Sequence, residues 1–262
     1  MTLDIFQIDA FTDKLFGGNP AAVCPLKEWL PDATLLNIAK ENNLAETAYF
    51  IHKQNNVFHL RWFTPEIEID LCGHATLASA FVILNCLDYD FESVLFQTMS
   101  GELTISRKGH FLEMDFPSRP PNPSELPQTI KNSLSNQPNE VYKARDYVLV
   151  YNSENDIKNL KVSASILEQI NLSPGGIIVT SKGNECDFVS RFFTPGAAVF
   201  EDPVTGSAHC TLIPFWAKRL NKNDLHAFQI SDRKGELFCK LVGERVFIKG
   251  TAVKYLQGTI EI

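Results

Sequence analysis

The sequence predicts an α+β protein of two pseudo-symmetric lobes, each a curled mixed β-sheet around a central buried helix. Two recurrences and one apolar pattern predict it. Trp62-Phe63-Thr64-Pro65 running into Leu71-Cys72-Gly73-His74-Ala75 returns as Phe192-Phe193-Thr194-Pro195 running into Val204-Thr205-Gly206-Ser207-Ala208, at offsets of 130 and 133 residues. Asn43-Leu44 before Tyr49-Phe50-Ile51 returns as Asn171-Leu172 before Ile177-Ile178-Val179, at an offset of 128. Residues 73–84 are apolar almost all round, which suits a helix covered on every side. Matched landmarks in one order place a first lobe at 1–118 and a second at 119–262, with the last strands candidates to return to the first.

The elements follow from local pattern. Residues 5–10 alternate as a strand, with Phe6, Ile8 and Ala10 on one side. Phe16-Gly17-Gly18-Asn19-Pro20 is a turn, and 21–25 resumes a short apolar strand. Asp32 is placed to cap a helix over 33–41 whose apolar face carries Leu35, Leu36 and Ala39. Strands are expected at 48–52, 57–63, 93–97, 103–107 and 111–116. The proline-rich stretch 117–127 is the candidate linker. The second half repeats the order: strand 147–151, helix 164–170, strands 177–180 and 188–193, then a buried helix from Gly206. Pro214 should kink or strain that helix. Residues 250–262 read as a hairpin around Gln257-Gly258.

Bulk properties narrow the function. With 262 residues, 44% hydrophobic and 21% charged, the chain can bury real cores. A net charge of −7 argues against nucleic acid or an anionic membrane as the main partner. The 6 cysteines are scattered without CxxC spacing, which reads as reduced thiols and not a zinc site. No basic N-terminal stretch or long apolar run marks a secretory signal or a membrane span, so the cytoplasm is the expected compartment.

Chemistry concentrates at the two glycine elements. Each puts glycine and then a small or polar residue at the head of a buried helix, where free N–H groups and the positive dipole end can hold a carboxylate without any arginine. The plainer alternative is a tight turn before a helix. Differences between the copies point to catalysis. Glu46 aligns with Pro174 at the 128 offset, so the carboxylate stands in one lobe only, as a single general base would. His74 aligns with Ser207, and a cross-cleft pair of His74 with Asp202 would orient the imidazole. Cys72 aligns with Thr205 at the 133 offset, which leaves a two-thiol racemase one cysteine short; a small buried filler is the better reading of Cys72.

These residues resemble the phenazine-biosynthesis PhzF-like isomerase family. The match runs through Asp9-Ala10-Phe11-Thr12, Gly18-Asn19-Pro20-Ala21-Ala22-Val23, Asn43-Leu44-Ala45-Glu46-Thr47, Cys72-Gly73-His74-Ala75-Thr76-Leu77-Ala78 and Glu201-Asp202-Pro203-Val204-Thr205-Gly206-Ser207-Ala208. The resemblance implies the diaminopimelate-epimerase-like fold, no metal or organic cofactor, and Glu46, His74 and Asp202 as catalytic residues. It makes Gly73, Gly206, Ser207 and Asn19 the expected substrate-binding residues. The expected activity is a cofactor-independent proton shift on a small carboxylate-bearing metabolite, with a homodimer as the expected assembly. A Cys72-dependent racemase or dehydratase and a non-catalytic metabolite-binding protein are the alternatives.

Overall fold

Aromatic and branched residues alternating with polar ones open the chain as β1 (Thr2–Ala10), which pairs antiparallel with β2 (Asn19–Leu26). There follow α1 (Asp32–Asn42), β3 (Glu46–Gln54), β4 (Val57–Phe63), the short β5 (Glu68–Ile69) and α2 (Gly73–Asn85). Next come β6 (Ser93–Thr98), β7 (Gly101–Lys108) and β8 (Phe111–Pro117). The chain continues through β9 (Asn122–Pro123), α3 (Gln128–Ser133), β10 (Glu140–Lys143), β11 (Tyr147–Val150), α4 (Glu154–Asn159) and α5 (Ala164–Leu167). Then β12 (Ile177–Lys182), β13 (Phe188–Phe193), β14 (Glu201–Asp202) and α6 (Gly206–Leu220) follow. It closes with β15 (Asp224–Gln229), β16 (Gly235–Val242), β17 (Arg245–Gly250) and β18 (Ala252–Glu261). The computed structural model describes residues 1–172, 175–197 and 199–262.

Two compact units result: Met1–Phe116 with Phe247–Ile262, and Pro117–Val246. Within the first, the strand order is β18, β1, β2, β3, β4, β6, β7, β8, parallel at β2–β3 and β4–β6 and antiparallel elsewhere. Within the second it is β9, β10, β11, β12, β13, β15, β16, parallel at β11–β12 and β13–β15. Each parallel neighbour is reached through helix, as a parallel connection requires. The same alternation of parallel and antiparallel neighbours therefore builds both α+β units. Registers agree too: Thr47 faces Phe63 as Ile177 faces Phe193.

A repeated ion pair fastens each copy. Arg61 grips Glu68 through two bonds of 2.7 Å, and Arg191 grips Glu201 at 2.7 and 2.8 Å. Each guanidinium also lies over a phenyl ring, Phe63 at 5.1 Å and Phe193 at 4.9 Å. The motif escaped the sequence reading, although Arg61 and Arg191 stand two residues before the matched Phe-Thr-Pro elements and share their offset.

The central helices answer to their composition. Leu77, Ala78, Val82 and Ile83 of α2 are sealed, and its buried hydroxyls return to the helix itself: Thr76 donates to the Cys72 carbonyl at 2.5 Å and Ser79 to that of Ala75 at 2.7 Å. Pro214 does not interrupt α6. Proline has no N–H for the carbonyl four residues back; that carbonyl, of Cys210, instead accepts the Arg119 backbone N–H at 2.9 Å.

Several expectations need correction. Asp32 is the first residue of α1 and not its cap, and Pro31 precedes the helix. Residues 117–127 begin where the chain passes from the first unit to the second, but they are tied down: Ser118 N–H donates to the Glu244 carbonyl, Arg119 N–H to that of Cys210, and β9 pairs with β10. Residues 252–261 form one strand along β1, not a hairpin. Gly258 sits opposite Ile5, and a register shift beside Gln7 supplies the irregularity that Gln257-Gly258 suggested. The helix expected at 164–170 is the single turn of α5, because α4 takes up part of the connection. Among the described residues no helix is long and apolar enough to cross a membrane.

Candidate functional site

In the first unit the site forms where β2, β3 and the head of α2 meet. Ala21 lies opposite Glu46 in the parallel β2–β3 pair, which puts the carboxylate at the first residue of β3. Gly18 is needed just before β2: its φ is +60°, and a Cβ there would stand 2.1 Å from the Ala10 carbonyl oxygen. That turn delivers Asn19, fully buried, to the second residue of α2. The Asn19 side-chain amide lies 3.1 Å from His74 Nδ1, and Cys72 Sγ lies 3.5 Å from the same nitrogen. The other ring nitrogen, Nε2, stands 3.0 Å from Glu46 Oε2. That approach lies off the N–H direction, so it is a close ion pair without an aligned hydrogen bond. The His74 side chain is 4% exposed and that of Glu46 16%, so the carboxylate is the member that reaches solvent.

Electrostatics separate the roles. Burial works against the imidazolium of His74, but the close approach of Cys72 and Glu46 prevails and holds it well above the ordinary imidazole range. Burial, helped by the Glu46 charge, pushes the Cys72 thiol up to about 11. Cys72 is therefore a neutral thiol near pH 7. The lowered thiol expected of a helix N-terminus is overridden by burial.

In the second unit the corresponding corner is built differently. Thr205 precedes α6, and its hydroxyl donates to Asp202 Oδ2 at 2.5 Å. Gln229 locks this turn, accepting the Thr205 N–H at 2.8 Å and donating to the Asp202 carbonyl at 2.7 Å. Ser207 Oγ accepts from Arg145 Nη2 at 3.1 Å. The register shows what faces Glu46 across the repeat. Thr47 corresponds to Ile177, so Glu46 corresponds to Gly176 and not to Pro174, which lies outside the described residues. A Cβ on Gly176 would come within 2.5 Å of the Phe192 ring and 2.7 Å of the Phe193 carbonyl oxygen, so no side chain fits.

Structure thus gathers Glu46, His74, Asn19, Cys72 and Gly73 in one corner, and Asp202, Thr205, Gly206 and Ser207 in another. Neither α2 nor α6 has a side-chain cap, which leaves first-turn N–H groups for a ligand. Sequence reasoning missed Arg145, Asp146 and Gln229, which stand outside the matched motifs. Among the described residues, Glu46, Cys72 and His74 also offer three metal-ligating atoms within 4.8 Å of one another. Their arrangement suits a single ion poorly, because His74 turns one nitrogen to the carboxylate and the opposite one to the thiol.

Comparison with known proteins gives this geometry a class. An uncharacterized isomerase of Pseudomonas aeruginosa is 48% identical over 100% of both chains. The crystal structure of a PhzF-family phenazine biosynthesis protein from Enterococcus faecalis superposes with a TM-score of 0.95 at 43% identity, covering 100% of each chain. A hydroxyproline epimerase from Agrobacterium vitis shares the fold at a TM-score of 0.60 and 8% identity, over 99% of this chain and 92% of its own. The class is that of isomerases with the epimerase-type α+β fold. Residues 8–258 match the phenazine biosynthesis-like protein family, and the chain belongs to it.

Proposed function

We propose that this isomerase shifts a proton between carbons of a small carboxylate-bearing metabolite, with Glu46 as its acid/base. The supporting observation is the Glu46–His74 pair: Oε2 is buried 3.0 Å from Nε2 without an aligned hydrogen bond, while the side chain keeps 16% exposure. The ionised carboxylate takes a proton from a substrate C–H and becomes the acid. The electron pair of that bond passes into an adjacent conjugating group. The acid returns its proton to another carbon of the same system, which regenerates the carboxylate. His74 in its charged form steadies the anion that develops. The uncapped head of α2 at Gly73 is the proposed carboxylate holder of the first unit, and the head of α6 at Gly206 and Ser207, its turn fixed by Asp202, is that of the second.

Gly176 supports one-base chemistry, since the second copy has no room for a carboxylate where Glu46 stands in the first. A thiol mechanism fits less well, because Cys72 is protonated at neutral pH and the Thr205 hydroxyl is committed to Asp202. The test is a heavy-water screen. Incubation with cyclic and unsaturated amino acids should place deuterium on a substrate carbon; binding without label throughout would favour a metabolite sensor.

A further inference from the structure

The second unit carries an acid of its own at the matching strand pair, on the other strand and fully buried. In the first unit the acid is Glu46 on β3, facing the small Ala21 of β2. In the second, Tyr147 faces Ile177, so one step back sets Asp146 beside Gly176; the Gly176 N–H donates to Asp146 Oδ1 at 2.8 Å. Small and acidic residues have exchanged strands. Asp146 is 1% exposed, so it cannot meet a ligand itself, and its Oδ2 is buried without a hydrogen-bond partner.

The next residue, Arg145, can meet one. Its side chain is 28% exposed, Nε stands 3.5 Å from Asp146 Oδ1, and Nη2 donates to Ser207 on the first turn of α6. In the first unit the second residue of the helix, His74, is held by a neutral amide, Asn19; in the second, Ser207 is held by a cation. A second cation stands nearby: the charges of Arg119 and Arg145 both act on Asp146 and on the Cys210 thiol. Arg119 Nη1 is buried without a hydrogen-bond partner. Arg145 thus links the buried Asp146 to the uncapped head of α6, with Arg119 as a second positive charge acting on that carboxylate.

We infer that Arg145, oriented by the buried Asp146 and tied to Ser207 at the head of α6, is the side chain that receives a carboxylate in the second unit. Asp146 is a positioning residue that keeps the guanidinium against the helix head. The one-sided geometry favours a carboxylate, whose two oxygens can take the guanidinium and the helix N–H groups together. This inference rests on the proposed function only in giving that carboxylate to the substrate. The binding can be measured without catalysis.

The probe is benzoate, with benzamide as its uncharged counterpart, followed through the backbone amide resonances of Gly206 and Ser207 in the full chain. Benzoate should shift both resonances and benzamide should not. Arg145→Gln should weaken benzoate at least about tenfold, and Arg145→Lys should fall between. The readout is binding without turnover, so a failure of the proton-transfer reading would leave this result intact. Unmoved Gly206 and Ser207 resonances, equal response to benzamide, or undiminished affinity in Arg145→Gln would each overturn the inference. Should Arg145→Gln fail to fold, the Lys variant and the benzamide comparison decide.

Discussion

Glu46 and Gly176 hold the same register position in the two units, and one carries the buried-edge carboxylate while the other cannot carry even a methyl group. The difference is steric. In the second unit the Phe192 ring and the Phe193 carbonyl fill the space that a side chain would need.

Gly176→Ala should therefore destabilise the second unit. Its new methyl must displace a ring and a backbone carbonyl, and overpacking of that kind costs about 1–3 kcal/mol. Urea unfolding measures it. A variant as stable as the wild type would show that the strand pair has slack.

The two buried histidines should titrate in opposite directions. Burial lowers His209 to about 4, with the Thr205 carbonyl opposing, while His74 is held above the ordinary value. Neutral His209 contributes stability that is present above the unfolded value near 6.5 and lost as pH falls toward 4, a swing of about 3 kcal/mol. The His74 contribution has the other sign: it is full below the unfolded value and lost as pH rises through the raised folded value. NMR should find His209 neutral at pH 5 while His74 is still protonated at pH 7. His209→Gln should flatten the acid limb of the stability curve.

Thiol labelling should follow burial. Half-buried Cys86 and Cys186 should react with iodoacetamide under native conditions before the buried Cys72; burial raises the Cys186 thiol to about 11, as it does that of Cys72, so access sets the order. Peptide mapping reads the order. Rapid labelling of Cys72 at pH 7 would revive the thiol mechanism.

Arg191→Lys should cost more than Arg61→Lys. Beyond its two bonds to Glu201, Arg191 Nη1 donates to the Ile157 and Leu160 carbonyls at 2.9 Å each, whereas the further bond of Arg61 goes to Asp32, whose side chain is exposed. A lysine cannot replace that fork, and a loss of about 2–4 kcal/mol is expected by thermal or urea unfolding.

What the sequence revealed was the part written in matched residues. The glycine elements at 73 and 206 and the apolar face of the first helix announced both central helices and the two-copy fold. The alignment failed where spacing drifts: an offset of 128 paired Glu46 with Pro174, whereas strand hydrogen bonding pairs it with Gly176. Local turn chemistry misled at Gln257-Gly258, because an edge strand can carry glycine without bending. Arg145 and Asp146 were invisible because they act through neighbours distant in sequence, Ser207 and Gly176. Asn19 was expected at the substrate; the structure sets its amide against the His74 ring.

The most direct measurement is deuterium uptake from heavy water into whichever substrate the screen identifies, compared between wild type and Glu46→Gln. Glutamine keeps the shape of the side chain and removes the basic oxygen. Uptake should fall about a hundredfold to ten-thousandfold, with substrate affinity little changed. Less than about a tenfold loss would contradict the account, since proton transfer would then belong to another group.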